Sequence, residues 1–314
     1  MKKEKLSAFA FYRFLFIVHC SLFIVLFSCR TAPVIQELSP DMAGIIPLEP
    51  GGLAYIFTDT KKAGPILEHL NIAGLDQKQF QQISDMIDYV ATAVYPPESG
   101  KRFRIAARGR YPVSKLKLAL GTNKDWKKYR SPATKSVYWY SFKMKLSVAF
   151  NPAQAIVLST NDFLNIDPYN TLGTEVPEGF GEFTKGAILS CWLDDPGPLI
   201  DKKLEETGIP LQLPAKQIFI SLFPSMPQDE NHGDRLYQAN IKIRFSGEIQ
   251  ARSVGVILAL ARNFLPPDLP LDGPAALAAI LFANPPVQEG IDLNIKTNTL
   301  SDREVALLFN IFSL

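Results

Sequence analysis

The sequence is short of cysteine and histidine. It has three of each in 314 residues, and Cys20, Cys29 and His19 all fall in the first 29. His69 and His232 are left in the rest of the chain, neither with a second His or Cys at ligand spacing. A zinc site of the His/Cys type and a Cys–His nucleophilic pair are excluded on that ground. The acidic run around His232 lacks the ordered oxygen spacing of a calcium loop and reads as a solvated turn. Gly-x-Ser-x-Gly, a phosphate-cradling Gly-rich loop and a dinucleotide fingerprint are also missing. No catalytic residue, metal ligand or cofactor is therefore expected. Two carboxylate pairs remain. Asp194 and Asp195 are expected to end a strand and cap the next helix, and Asp85 and Asp88 to lie on the polar side of a helix.

Long apolar runs are equally scarce. One stands out, Phe14 to Phe27, broken only by His19, Cys20 and Ser21 and preceded by Lys2, Lys3, Lys5 and Arg13. It is shorter than the roughly 20 residues of a spanning helix and has the length and basic flank of a secretory h-region. No second run of this kind follows, so the rest of the chain is expected to be water-soluble.

The end of the run, Leu26-Phe27-Ser28-Cys29, resembles the lipobox of bacterial lipoproteins. Leu26, Ser28 and Cys29 match the pattern. Phe27 stands where a small residue is usual, a change that the relaxed lipoboxes of spirochaetes tolerate. The resemblance covers the first 29 residues and implies cleavage before Cys29, acylation of its sulfur and export to a cell membrane. Each buried methylene of an acyl chain adds about 0.8 kcal/mol, so two or three chains hold firmly. An uncleaved N-terminal anchor is the other reading of this segment. With Cys29 acylated, Cys191 has no partner and is expected to be a buried core residue.

Residues 1–28 are thus expected to be a signal peptide and 29–51 a Pro-rich tether. Beyond it the chain reads as a diverged duplication. Gly52 to Asp59 followed by Gly64-Pro65 corresponds to Gly186 to Asp194 followed by Gly197-Pro198: a buried strand, a terminal Asp and a Gly-Pro helix start. Strands over 103–111 and 237–245 correspond, each followed by a helical pattern, near 113–120 and 249–264. The expected fold is α+β, with two similar halves, each a mostly antiparallel sheet with helices packed on one face. The halves are 52–165 and 180–314.

Charge is distributed unevenly. Between Lys101 and Lys145 there are fourteen Lys and Arg and one acid, Asp125, in a chain whose net charge is +2. Alternation along a strand places Arg102, Arg104, Arg108 and Arg110 on one face and Phe103, Ile105, Ala107 and Tyr111 on the other. A second alternating strand over 138–150 puts Tyr138, Tyr140, Phe142 and Met144 inside, with Trp139, Lys143 and Lys145 outside. Lys242 and Arg244 alternate against Ile241, Ile243 and Phe245. A solvent-facing surface of Arg102, Arg104, Arg108, Arg110, Lys143, Lys145 and Trp139 is expected to attract an anionic lipid, a glycan or an acidic protein. Nucleic acid is not expected, because the chain reads as exported. The charges otherwise only solubilise the surface or pair with acids elsewhere.

Three functions stay open: a non-enzymatic envelope lipoprotein that binds or scaffolds, a carrier of a small apolar ligand held between the halves, and a carboxylate-based envelope hydrolase. The apolar Pro-rich stretch from Phe264 to Pro286 would line the carrier's pocket or complete the core.

Overall fold

Alternating apolar residues set most of the strands, and two 3.6-residue patterns set the longer helices. The computed structural model describes residues 51–69, 85–96, 103–132, 135–150, 155–160, 176–197, 201, 213–225, 236–263, 280, 283–302 and 304–305. They fall into two units, one built on Phe57–Glu175 and the other on Leu53–Ile56 with Val176–Leu314. Strand β1, Ala54–Asp59, therefore begins in the second unit and ends in the first. The signal segment, Cys29, the tether, Arg102, His232 and most of the stretch from Phe264 to Pro286 lie outside the described residues.

In the first unit, helix α1 (Thr60–His69) starts directly after β1, ahead of the Gly64-Pro65 start expected from sequence. The reason is a cap: the Asp59 carboxylate accepts the Lys62 amide at 3.2 Å, and the Thr60 hydroxyl donates to the Ile87 carbonyl. Next come β2 (Ile87–Val94), β3 (Phe103–Gly109), α2 (Val113–Thr122), β4 (Lys127–Arg130), β5 (Val137–Ser141), β6 (Leu146–Phe150) and β7 (Ala155–Ser159). Asp88 thus lies in a strand, not on a helix, and pairs with Lys61 at 2.6 Å. The antiparallel order is β2-β3-β7-β6-β5-β4, which leaves β4 at the edge among the described strands.

Helix α2 covers one sheet face. Leu116 and Leu120, one turn apart, pack with Phe103, Trp126, Trp139, Val148 and Phe150. The opposite face is closed as well, around Ala106, Tyr138, Ala149 and Val157 with Tyr129 and Tyr140 against them. Two devices fix the end of β3. A Cβ on Gly109 would lie 2.0 Å from the Met86 carbonyl oxygen, so the β2–β3 pairing requires glycine there. The Tyr111 hydroxyl accepts the Ile156 amide at 2.8 Å and donates to the Ala107 carbonyl, joining β3 to β7. Burial pushes that hydroxyl's pKa well above its ordinary value.

The second unit contains α3 (Phe180–Thr184), β8 (Leu189–Asp194), β9 (Ala215–Ser225), β10 (Leu236–Phe245), α4 (Glu248–Asn263), β11 (Val287–Glu289), β12 (Asp292–Lys296) and β13 (Leu300–Ser301). Its order is β11-β12-β10-β9-β8, antiparallel in the β8–β12 pairings, with β13 also on β10. Along β10 the expected alternation holds: Tyr237, Ala239, Ile241, Ile243 and Phe245 are buried and their neighbours half-buried. Helix α4 lies on the Ile243 face, where Gly255 closes against Leu293, a cross-strand partner of Ile243. Helix α3 lies on the other face, its Phe180 and Phe183 on Trp192 and Phe219. This unit thus carries helix on both faces, where the sequence suggested one. Both units are mostly antiparallel sheet with few helices, as an α+β fold requires.

Candidate anion-binding surface

The structure separates the residues expected to form one basic face. Arg104 is 3% exposed and Trp139 4% exposed. Alternation sorts side chains into wet and dry only where one face meets water. Strand β3 is central, between β2 and β7, with both faces covered. Arg104 therefore sits inside, between the small cross-strand partners Ala93 and Ser159, and is engaged by the protein itself. Arg108 is half-buried and Arg110 exposed beyond the strand end.

Trp139 is buried because both faces of β5 are covered, with Tyr138 in one cluster and Trp139 in the other, and the segment 138–150 is a hairpin and not one strand. Strands β5 and β6 are joined by a turn over 142–145, and Trp139 faces the α2 side, edge-on to Phe150 at 5.5 Å. The turn reverses the chain and resets the alternation. Phe142, expected inside, is 62% exposed, while Met144 stays buried and Lys143 and Lys145 are exposed as expected. Lys145 holds φ at +51°, the left-handed conformation that closes the turn, and the Met144 amide donates to the Ser141 hydroxyl at 3.2 Å.

The cations that do reach solvent form a different set. Exposed Lys127, Lys128 and Arg130 line the edge strand β4, with Lys143 and Lys145 on the adjoining turn. The Lys127 ammonium lies 5.8 Å from the centre of the Phe142 ring and that of Lys128 5.9 Å from the Trp139 ring. Phe142 packs edge-on against Tyr140 at 4.9 Å and Tyr129 at 6.4 Å, and Tyr129 stacks on Tyr138 at 5.6 Å. Asp125 bonds Lys143 at 3.1 Å, so the one acid in this stretch offsets one lysine.

This fold resembles that of TP0453. Crystal form III of that protein aligns with a TM-score of 0.53 at 16% identity, over 88% of this chain and 98% of that one. Form IV aligns at 0.53 and 14%, covering 86% and 98%, and form I at 0.50 and 15%, covering 88% and 97%. At such identity the likeness to TP0453 concerns the fold. No protein-family model matches the sequence, and no curated protein matches it.

In the second unit the expected basic pair is neutralised. Arg244 makes a two-point ion pair with Asp292, Nε to Oδ1 at 2.9 Å and Nη2 to Oδ2 at 3.1 Å, which raises the arginine's pKa. Lys242 lies 4.0 Å from the same carboxylate and over the Phe183 ring, and Arg244 over the Phe219 ring. The residues missed from sequence are Phe142, hidden by the wrong alternation, and an apolar stripe on α4. Ile249, Val256, Ile257 and Leu260 are exposed there, beside the buried Ala251, Val254 and Leu258. Its signal was present as apolar residues on more than one side of the helix. Cys191 is buried as expected, its thiol pushed up to about 12 by burial. Among the described residues no group of His, Cys, Asp or Glu is placed to hold a metal, and no helix is long and apolar enough to cross a membrane.

Proposed function

We propose that the chain is an exported, membrane-anchored envelope lipoprotein with a non-enzymatic binding or scaffolding role, held by acyl chains on Cys29. The N-terminal segment ending in Leu26-Phe27-Ser28-Cys29 supports the anchor. The observation that carries the binding role is the exposed run Lys127, Lys128 and Arg130 with Lys143 and Lys145, in a stretch whose one acid is already paired. Such a surface attracts anions, and Arg110 and Arg108 extend the same field. Four described carboxylates, Asp59, Asp88, Asp125 and Asp292, each sit against a lysine or arginine, an arrangement suited to structure more than to acid–base work. We read the two units as diverged copies, since β1 and β8 are buried strands that each end in Asp and both units continue through strands and a helix.

Retention of the chain carrying Cys29→Ser, which has no acyl chains to hold it, on anionic vesicles and on heparin, followed as salt rises, tests the binding role. Retention at low salt that falls steadily with added salt is expected. Replacing Lys127, Lys128 and Arg130 together by Ser should weaken it at least severalfold. No retention on either support at low salt would remove this part of the proposal. Retention on heparin alone would point to an anionic glycan.

A further inference from the structure

We infer that the β5–β6 turn of the first unit is an interfacial contact for an anionic phospholipid surface, with Phe142 entering the headgroup layer and the surrounding lysines neutralising phosphates. The inference rests on the anion-binding role proposed above and assigns its partner and its point of contact.

Exposed phenylalanine at the tip of a hairpin is the first observation. At 62% exposure Phe142 has not been taken into either core cluster, although Trp139 and Met144 beside it in sequence have. A turn tip that served only to reverse the chain would be better filled by a small polar residue. The second observation is that the ring is held. Tyr140 and Tyr129 meet it edge-on at 4.9 and 6.4 Å, Met144 anchors the far side of the turn in the core, and Lys145 fixes the turn's backbone at φ +51°. Ordering cost is therefore met within the fold before any partner arrives.

The third is the collar of charge. Lys127 approaches the Phe142 ring, and Lys143 and Lys145 are exposed on the same turn, while Lys128 lies on the Trp139 side of the edge strand. An aromatic tip with tyrosines behind it and lysines around it is the composition found where proteins meet the membrane–water boundary. The rings take the interfacial depth, and the ammonium groups stay at the phosphates. Charge complementarity selects an anionic surface: the local excess of basic residues between 101 and 145 has Asp125 as its one acid, already bonded to Lys143. An acidic protein would use the same charges, but it would not need a largely exposed phenylalanine among them.

The test uses the full lipidated chain reconstituted in vesicles of phosphatidylcholine with and without phosphatidylglycerol, carrying Phe142→Trp as a local reporter. The chain's own Trp126, Trp139 and Trp192 are buried and supply the background, measured on the unsubstituted chain. In phosphatidylglycerol vesicles the reporter's emission should shift to the blue and be quenched at least twofold by lipids brominated high on the acyl chain. In pure phosphatidylcholine the quenching should be slight. A companion Phe142→Ser variant, compared with the parent in a Cys29→Ser background that has no acyl chains to hold it, should keep salt-sensitive attraction to anionic vesicles and lose about tenfold in the binding that persists at high salt. Reporter emission that ignores the lipid, while the chain still binds anionic vesicles, overturns the phenylalanine contact and leaves the proposed anion-binding role intact. Equal quenching in both vesicle types overturns the anionic assignment. Absence of any preference for anionic vesicles, in the reporter and in the unsubstituted chain alike, overturns the contact and the anion-binding role together.

Discussion

Tyr111 carries two hydrogen bonds on one oxygen. Without the hydroxyl, the Ile156 amide is left without that acceptor and the Ala107 carbonyl without that donor. Tyr111→Phe should lower stability by about 1–3 kcal/mol, the usual cost of leaving a buried group unmet. Urea titration of both proteins measures it. Asp292 is a second such residue. It neutralises Arg244 and touches Lys242, and all three side chains are mostly buried. Asp292→Ala should cost about 2 kcal/mol, because two cations lose their acid in partial burial, and Asp292→Glu should recover part of it.

Cys191 sets a pH dependence whose sign is fixed by burial. Its folded pKa is about 12 against an ordinary 9.0, so the folded state holds the thiol proton where the unfolded state releases it. That contribution is complete below about pH 9 and is lost as pH rises toward 12. Tyr111 shifts in the same direction and acts over the upper part of the same window. Stability measured from pH 8 to 11 should fall, and Cys191→Ala should flatten the lower part of the fall. A curve for Cys191→Ala as steep as that of the parent would contradict the burial assigned to this thiol.

At the scale of the element, the β2–β3 pair depends on one glycine. A methyl group at 109 meets the Met86 carbonyl at 2.0 Å, so Gly109→Ala must part the strands or bend them. A loss of about 1–3 kcal/mol or more is expected, as for other overpacked sites, measurable by thermal melting. The two longer helices of the pattern were legible in the sequence because their apolar residues repeat at helical spacing. Those near 113–120 and 249–264 appear as α2 and α4 within two or three residues. Strand β10 was legible because it alternates without a break.

The hairpin was not legible. Its turn, Phe142-Lys143-Met144-Lys145, contains no Gly, Pro, Asn or Asp, the residues that announce a turn, and it places a lysine in the left-handed conformation. Alternation carried through the turn keeps Phe142 in phase with Tyr138 and Tyr140 and so places it inside. Arg104 and Trp139 are buried for a different reason. Alternation says which residues share a face, and nothing in it says that both faces of β3 and β5 are covered. Asp88 was misplaced because two acids three residues apart suit a helix surface as well as a strand beginning at Ile87.

At the scale of the whole molecule, the proposed N-terminal lipid would join a strongly basic stretch in an otherwise acidic chain. Salt separates the two contributions, since exposed charges are screened over about 8 Å at physiological ionic strength while acyl burial is not. The proposed anchor is the more consequential part, because it would set the compartment in which every other contact is made. Its most direct measurement is labelling with a palmitate analogue of the full chain expressed in a bacterium that processes lipoproteins, followed by mass analysis of the N-terminal peptide. Acylation at Cys29 predicts label on a peptide beginning at that residue and none in Cys29→Ser. An unlabelled chain, or label that persists in Cys29→Ser, would contradict it.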